Sequence, residues 1–229
     1  MKIITLLVIL ILSPSLSIAN EHQSTCYGTT ANGRLENGVS LPSKGPNFES
    51  YTSLGGVFGR TYVHSRVRDV VADAYKALET LRPGTVYVYG EAGKKQGGPF
   101  RPHKTHQNGL SVDFMVPVLN SLGRSIPLPA NALNRFGYNM EFDGKGRAGN
   151  FHIDFEAMAD HILALKSEAD RAGIGIWRVI FDPKLQPMLF ETGSGHLLQE
   201  YNINFSKKRS WVRHDEHYHV DFDLPCEPL

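Results

Sequence analysis

The chain has 229 residues, with 24 lysines and arginines against 23 aspartates and glutamates, and a formal net charge of +1. This balance gives no indication of a nucleic-acid-binding surface, which would need an excess of clustered basic residues. The length is enough for one sizeable core, so one domain is expected.

The first 19 residues have the pattern of an export signal. Met1-Lys2 supplies a positive end, residues 3–12 form an apolar run too short to span a bilayer, and Ser17-Ile18-Ala19 has the form of a cleavage site. Residues 1–19 are therefore predicted to be a signal peptide and residues 20–229 a mature domain without a membrane segment. An uncleaved membrane anchor is the alternative.

The two cysteines, Cys26 and Cys226, lie near the two ends of the predicted mature domain. In an oxidising compartment an even pair indicates a disulfide, which would require the two termini to lie close together. Two free buried thiols are the alternative. Neither cysteine is near a histidine-rich segment, so neither is predicted to be a metal ligand.

The first half of the chain alternates irregular and periodic segments. Residues 20–60, rich in Gly, Ser, Asn and Pro, are predicted to be an irregular N-terminal segment. Apolar residues at helical spacing predict a helix over 66–81, which Pro83-Gly84 ends. Residues 85–89 predict a strand. The glycine-rich segment 90–98 is interpreted as a flexible connector in preference to a rim that contacts substrate.

The second half predicts three further strands and a long helix. Its elements are a strand over 110–116, a long loop over 117–150 with a hairpin near Asp143-Gly144, a helix over 154–172 that Asp154 caps, a strand over 176–181, short helices over 183–190 and 195–201, and a strand over 217–222. This order predicts an α+β fold: a single domain with a mostly antiparallel sheet, flanking helices and long loops around the site.

Five of the ten histidines lie in two short segments about a hundred residues apart. Hydrolytic zinc sites take three protein ligands from His, Asp or Glu and keep a position for water. The two segments therefore predict a catalytic zinc site that is divided between distant parts of the chain. Its candidate residues are His103, His106 and Asp113 in the first segment, and His214, His217 and His219 in the second.

The spacing within each segment supports this prediction. Residues two apart on a strand point to the same face, so His217 and His219 would face one cavity. Gly109 lets the chain fold back, which allows His106 and Asp113 to meet at one ion. Each motif alone is a weak signal, whereas the two together are much more specific.

Each of these residues also has a plainer interpretation. His106 could be an exposed loop histidine, and His217 and His219 could lie on the surface of an edge strand. Asp113, however, interrupts an otherwise apolar strand, where a buried carboxylate costs several kcal/mol unless it is paired or bound to metal. This cost favours a ligand.

At these residues the chain resembles the penicillin-insensitive murein endopeptidases, zinc metallopeptidases with His-x(6)-Asp and His-x-His motifs that are related to lysostaphin-like and D-Ala-D-Ala peptidases. The similarity extends over most of the predicted mature domain. It includes Gly84-Thr85-Val86, Gly97-Gly98-Pro99-Phe100, the segment 103–113 and the segment from Arg209-Ser210-Trp211 through His219.

The resemblance implies that His106, Asp113 and His219 are the zinc ligands. It implies that His217 lies beside the attacking water as general base or transition-state stabiliser, and that His214 is a second catalytic histidine. Because His214 would point away from His217 on a regular strand, we expect a bend near residue 215 before the strand begins.

The resemblance also makes His103 and Asp143 candidate ligands of a second metal. In the family an aspartate followed three residues later by a histidine helps to hold a second ion. Here Asp143 is followed at that position by Gly146, so the second site lacks one of the expected donors.

The activity that the resemblance implies is hydrolysis of the D-alanyl–meso-diaminopimelyl cross-links of peptidoglycan in the periplasm, with Zn²⁺ as cofactor and direct attack by water. No Gly-x-Ser-x-Gly motif is present, in keeping with insensitivity to β-lactams, which acylate serine. The alternatives are a D,D-carboxypeptidase, an L,D-endopeptidase, a non-catalytic metal-bound wall-binding protein and a toxin-like effector.

Overall fold

A computed structural model describes residues 23–52, 58–210 and 212–229. The predicted signal peptide, residues 1–19, and Trp211 lie outside these ranges. Among the described residues, no helix is both long enough and apolar enough to cross a membrane.

The described chain combines short strands with two long and two short helices. The strands are β1 (Thr25–Thr29), β2 (Asn32–Glu36), β3 (Val39–Ser40), β4 (Phe48–Ser50), β5 (Tyr62–Val63), β6 (Tyr87–Tyr89), β7 (Ser111–Met115), β8 (Val118–Leu119), β9 (Ser125–Ile126), β10 (Arg147–Ala148), β11 (Phe151–Ile153), β12 (Gly175–Ile180) and β13 (His217–Asp223). The helices are α1 (Ser65–Leu81), α2 (Phe155–Arg171), α3 (Gln186–Phe190) and α4 (Gly193–Glu200), and a 3-10 turn covers Ala132–Asn134. This composition confirms the predicted single-domain α+β fold.

The central sheet has five strands in the order β12-β13-β7-β6-β4. Its pairs are antiparallel except for β4 and β6, which run parallel. Strand β13, which carries the second histidine segment, lies directly beside β7, which carries Asp113. Their register pairs His219 with Asp113, so hydrogen bonding within the sheet joins residues that are more than a hundred positions apart in sequence.

The two long helices form where the apolar spacing predicts them. Helix α1 buries one apolar stripe, and α2 begins after Asp154, whose side chain accepts a hydrogen bond from the Ala157 amide. Both helices supply rings to one face of the central sheet. Tyr75 of α1 and His161 of α2 stack with ring centroids 4.9 Å apart, and both contact Phe114 of β7.

The prediction that residues 20–60 are irregular was wrong. Strands β1 and β2 form an antiparallel hairpin, and β4 is an edge strand of the central sheet. These strands are short, and in β2 only Gly33 and Leu35 are buried, so no apolar alternation long enough to indicate a strand exists in the sequence. The β4–β6 pairing joins segments that lie some forty residues apart, and local patterns carry no information about it.

Residues 117–150 are also more ordered than expected. Strands β8 and β9 belong to a second sheet of order β10-β11-β8-β9. The hairpin expected near Asp143-Gly144 instead joins β10 to β11, with Ala148 opposite Phe151. Asp143 begins a separate tight turn, in which its carbonyl accepts from the Gly146 amide over 2.9 Å. The glycines at 144, 146 and 149 gave turn signals at both places, and sequence alone did not distinguish between them.

The predicted disulfide is present. Cys26 of β1 is bonded to Cys226, with a Cα–Cα distance of 4.9 Å. Backbone hydrogen bonds reinforce the junction, because the Gly28 amide donates to the Glu227 carbonyl and the Glu227 amide donates to the Cys26 carbonyl. The N-terminal hairpin and the end of the described chain are therefore held together, as a disulfide between these two cysteines requires.

Candidate metal centre

The two faces of β13 have opposite chemical character. His217, His219 and Asp221 alternate with Tyr218 and two apolar residues, and the strand is buried from His217 to Phe222. The polar face is directed towards Asp113, which both histidines approach, whereas Tyr218 packs against Phe114 and His161 beneath the helices. As predicted for residues two apart on a strand, the imidazoles of His217 and His219 therefore lie on the same side of β13.

Asp113 lies at the centre of this cluster and is fully buried. Its Oδ1 is 2.9 Å from His219 Nδ1 and 3.2 Å from His106 Nε2. Its Oδ2 accepts a hydrogen bond from the Tyr138 hydroxyl over 3.0 Å and lies 3.9 Å from His217 Nε2. The hydroxyl thus occupies one carboxylate oxygen and leaves the other facing two imidazole nitrogens.

His106 presents an unprotonated nitrogen to Asp113. Its Nδ1 lies 2.7 Å from the Ala92 carbonyl, which can only accept, so Nδ1 carries the hydrogen. Its buried Nε2 has no hydrogen-bond partner among the described residues. His106 has a φ of +68° and Gly109 one of +80°, which is the chain reversal expected between this histidine and β7.

His219 lies between two carboxylates. Its Nε2 is 2.8 Å from Asp221 Oδ1, and that carboxylate also accepts from Ser111 Oγ at 2.5 Å and Arg178 Nε at 2.6 Å. A carboxylate that holds the far nitrogen of an imidazole is the usual support of a metal-ligating histidine. Nδ1 is hydrogen-bonded to Asp113 Oδ1 as well, so each nitrogen of this imidazole donates to a carboxylate, and Nδ1 would bind a metal ion in place of its hydrogen.

The electrostatics of the cluster favour a cation. Burial opposes the charge on Asp113, yet the neighbouring imidazoles of His106 and His217 hold its pKa well below the usual range. Burial also opposes protonation of His219, but Asp221 and Asp113 raise its pKa to about 10. Two imidazole nitrogens and one carboxylate oxygen converge in this buried site, and these are residue types that zinc can take as ligands.

His103 joins the cluster from the cleft side. The ligand atoms of His103, His106 and Asp113 all lie within 4.8 Å of one another, so these three residues could hold a metal ion. His103 Nδ1 is 3.9 Å from Asp113 Oδ2, and its Nε2 is 2.6 Å from Glu91 Oε2. Burial opposes protonation of His103, but the hydrogen bond from its ring to Glu91 raises its pKa.

His217 and His214 are placed as neutral bases beside the cluster. His217 Nδ1 is 3.0 Å from Glu216 Oε1, and His214 Nδ1 is 2.9 Å from the Val212 carbonyl. Burial lowers the pKa of His217 to about 4 and that of His214 to about 3. Their ring centroids lie 4.5 Å apart, because the backbone bends at Asp215 and Glu216 before β13 begins, as expected.

Asp143 is placed differently from the other candidates. It lies on its turn, where its Oδ1 accepts from the amides of Lys145 and Arg147 at 2.8 and 2.9 Å. These hydrogen bonds lower the pKa of its carboxyl. Asp143 lines a smaller cleft that also contains Asp182 and Lys184.

Four residues of the site were absent from the sequence-based candidates: Tyr138, Glu91, Glu216 and Asp221. Asp221 continues the alternation of His217 and His219, so the same spacing rule could have found it. Glu91 and its neighbour Gly90 lie in the segment interpreted as a connector. A Cβ at Gly90 would be 2.6 Å from the Tyr138 hydroxyl, so close packing of this tyrosine requires glycine there.

A cleft of about 900 Å³ opens beside the cluster. His103, Glu91, Tyr138 and Glu216 form its inner wall, and Arg60, Arg135 and Arg213 are its basic residues. The two lysines of the glycine-rich segment, at positions 94 and 95, are not among the residues that line it. The cleft therefore gives an extended substrate access to the face of the cluster that carries His103 and Glu216.

Comparison with known proteins agrees with the geometry. A family model described as penicillin-insensitive murein endopeptidase matches residues 26–228. The matched range contains every residue of the cluster and of the cleft. A search of curated proteins found no match.

Proposed function

This chain belongs to the penicillin-insensitive murein endopeptidase family, and from that membership we propose that it is an exported zinc metallopeptidase that hydrolyses D-alanyl–meso-diaminopimelyl cross-links of peptidoglycan in the periplasm. Residues 1–19 would direct the export and residues 20–229 would form the enzyme. The observation that carries the proposal is the convergence of His106 Nε2 and His219 Nδ1 on Asp113 Oδ1.

His106, Asp113 and His219 are the proposed zinc ligands. A metal ion would take the place of the hydrogen that His219 Nδ1 shares with Asp113 Oδ1, and His106 Nε2, which has no hydrogen-bond partner among the described residues, already faces the same oxygen. When bound, zinc supplies a Lewis acid that polarises the substrate carbonyl and lowers the pKa of water towards about 7. Asp221 and Ala92 fix the two imidazoles in the orientation that this requires.

His217 is the proposed general base. Glu216 accepts the Nδ1 hydrogen, so the lone pair of Nε2 is free on the side that faces Asp113. Nε2 would accept the proton of the attacking water and pass it to the leaving amine, work that is typically worth about 10²–10⁴-fold in rate. His214 is a second neutral imidazole beside the proposed base, and its ring lies against that of His217.

His103 is proposed to line the cleft rather than to complete the catalytic zinc site. Its Nε2 is committed to Glu91, whose carboxylate also accepts from Arg60. A second ion beside His103 would have to draw on Asp113 Oδ2, which already accepts from Tyr138. Asp143 is not included in either site, because it lines a different cleft and its Oδ1 accepts from two amides of its own turn.

The test is incubation of the mature protein with purified cross-linked muropeptide dimers, with and without a chelator, read by mass spectrometry. We expect conversion of dimers to monomers that the chelator stops and added zinc restores. Trimming of pentapeptide stems with dimers intact would indicate a carboxypeptidase. A zinc-loaded preparation that binds the dimers and cleaves no bond would indicate a wall-binding protein.

A further inference from the structure

The three arginines of the cleft differ in how their charge is used. Arg60 is paired with Glu91 and lies over the ring of Phe100. Arg213 is paired with Glu141 and lies 3.2 Å from Asp215. Arg135, in contrast, has no ion pair and no side-chain hydrogen bond with any residue that the structure describes, so its charge is available to a ligand.

The backbone that carries Arg135 is held in an unfavourable conformation. Arg135, Phe136 and Gly137 follow one another with φ values of +51°, +58° and +98°. For the two residues that have a Cβ, the left-handed region costs about 1–2 kcal/mol each. Consecutive residues of this kind persist only where the surrounding structure determines them, and they concentrate at functional sites.

Two asparagines and one aromatic contact determine this turn. Asn134 Oδ1 accepts from the amides of Asn131 and Gly137, each over 2.9 Å. Asn131 Oδ1 in turn accepts from the Asn134 amide. Phe136 packs edge-on against Tyr51, with ring centroids 6.0 Å apart, and both rings line the cleft. Arg135 is therefore presented to the cleft by a turn with fixed side-chain supports.

The same segment is joined to the proposed metal centre. The Tyr138 amide donates to the Arg135 carbonyl over 3.3 Å, and the Tyr138 hydroxyl donates to Asp113 Oδ2. Arg135 and the zinc-side residues His103 and Glu216 line one continuous cleft. A substrate in that cleft would contact Arg135 while its scissile bond lies at the proposed metal centre.

The chemistry of the proposed substrate calls for such a residue. In a D-alanyl–meso-diaminopimelyl bond, the carbon next to the scissile nitrogen carries a free carboxylate. Arg60 and Arg213 are already engaged with Glu91 and Glu141, which leaves Arg135 as the arginine of the cleft that can pair with this carboxylate. The planar fork of a guanidinium matches a carboxylate with two parallel hydrogen bonds.

We infer that Arg135 binds the carboxylate on the amine side of the scissile bond and so selects substrates in which that carboxylate is free. The inference rests on the proposed function and identifies a binding residue for it. Arg135 acts on substrate binding and on the alignment of the bond, whereas the histidines carry the proton transfer.

The experiment compares Arg135→Gln with wild type on two cross-linked dimers, one with the free carboxylate and one in which it is a carboxamide. The mature, zinc-loaded protein is used, and KM and kcat are measured separately. For the carboxylate dimer we expect KM to rise about 10–100-fold with kcat changed little, the loss typical of a hydrogen bond to a charged group. For the carboxamide dimer we expect Arg135→Gln to have the same KM as wild type. Arg135→Lys should retain part of the preference of wild type for the carboxylate dimer.

Arg124→Gln is the matched control, because Arg124 lies on the exposed β8–β9 connection and does not line the cleft. Equal losses by Arg135→Gln on both dimers would overturn the inference in favour of a purely structural role for the turn, and unchanged KM on both would exclude any contact. If wild type cleaves neither dimer, the proposed function fails first. Cleavage of both dimers by wild type with the same KM would overturn the inference alone.

Discussion

Two fully buried histidines lie on opposite faces of the central sheet, and their surroundings make them chemically opposite. His219, on the polar face, lies between the carboxylates of Asp113 and Asp221, which raise its pKa to about 10. His161, beneath the helices, is surrounded by aromatic rings, and burial lowers its pKa to about 3. The same residue type, equally removed from water, therefore attracts positive charge on one face and excludes it on the other.

The comparison indicates what distinguishes the histidines that we propose as ligands from His161. His161 Nδ1 is hydrogen-bonded to the Tyr218 hydroxyl, and its Nε2 lacks a partner among the described residues, just as His106 Nε2 does. A buried imidazole nitrogen without a hydrogen-bond partner is therefore not sufficient. What distinguishes the proposed metal centre is that the nitrogens of His106 and His219 converge on one carboxylate oxygen.

The largest expected effect comes from removing an imidazole on the polar face. His219→Ala should abolish stoichiometric zinc binding and lower the hydrolysis of cross-linked dimers by roughly 10³-fold or more, since the ion supplies several kcal/mol of transition-state stabilisation. His161→Phe, on the opposite face, should retain one zinc per chain. Metal analysis after dialysis measures both variants. Zinc retained by His219→Ala would remove this residue from the ligand set.

The next largest effect separates the proposed general base from the proposed ligands on the polar face. His217→Ala should retain zinc and lower kcat by about 10²–10⁴-fold, because it removes the proposed base and leaves the ligands in place. Circular dichroism and metal analysis establish that the variant is folded and loaded before the rate is measured. Loss of zinc together with activity would assign His217 to the metal rather than to proton transfer.

The sequence predicts the histidines and the helices better than it predicts the side chains that support the histidines. The positions of the proposed ligands are encoded locally, because the i, i+2 spacing of His217 and His219 fixes a common face and Gly109 permits the reversal before Asp113. The helices are predicted equally well from their apolar stripes. The side chains that support the proposed metal centre are not predicted by the sequence. Tyr138, for example, lies in a segment without periodicity, and nothing in its neighbourhood indicates that its hydroxyl reaches Asp113.

The N-terminal region illustrates the same limit in the fold. Its hairpin and the edge strand β4 are stabilised by partners far along the chain, such as the pairing of Phe48 with Tyr87 and the disulfide from Cys26 to Cys226. Composition indicated loop, since so few of these residues are apolar. Local patterns predict elements that bury one stripe of their own, whereas strands that are ordered by distant neighbours become visible only in the fold.

A smaller effect is expected from the carboxylate that supports His219. Asp221→Asn retains an acceptor for the Nε2 hydrogen but removes the charge, so zinc affinity should fall about 10–100-fold, as is typical for the partner of a ligating histidine. Competition with a chelator of known affinity measures the change. Asp223→Asn, at the exposed end of the same strand, is the control and should leave the affinity unchanged. Equal affinities for both variants would contradict the supporting role of Asp221.

The smallest effect concerns His161 and is a matter of stability. Its folded pKa of about 3 lies below the ordinary value of 6.5, so the unfolded chain takes up a proton first as the pH falls. Stability is therefore fully present above about pH 7 and is lost progressively towards pH 3. Between pH 7 and 5.5 this histidine alone should lower the free energy of unfolding by about 1 kcal/mol.

His161→Phe should remove that share of the pH dependence, whatever its effect on absolute stability, because Phe keeps the stacking on Tyr75 and Tyr87 but cannot titrate. Urea unfolding at pH 7 and 5.5, with a chelator present throughout so that metal release does not contribute, gives the two differences to compare. Tyr218→Phe is the matched control: it also breaks the hydrogen bond to His161 but retains the imidazole, so its pH dependence should stay that of wild type. An equal loss of stability on acidification in His161→Phe and wild type would show that the aromatic face does not exclude the proton, and the contrast with His219 would then rest on the carboxylates alone.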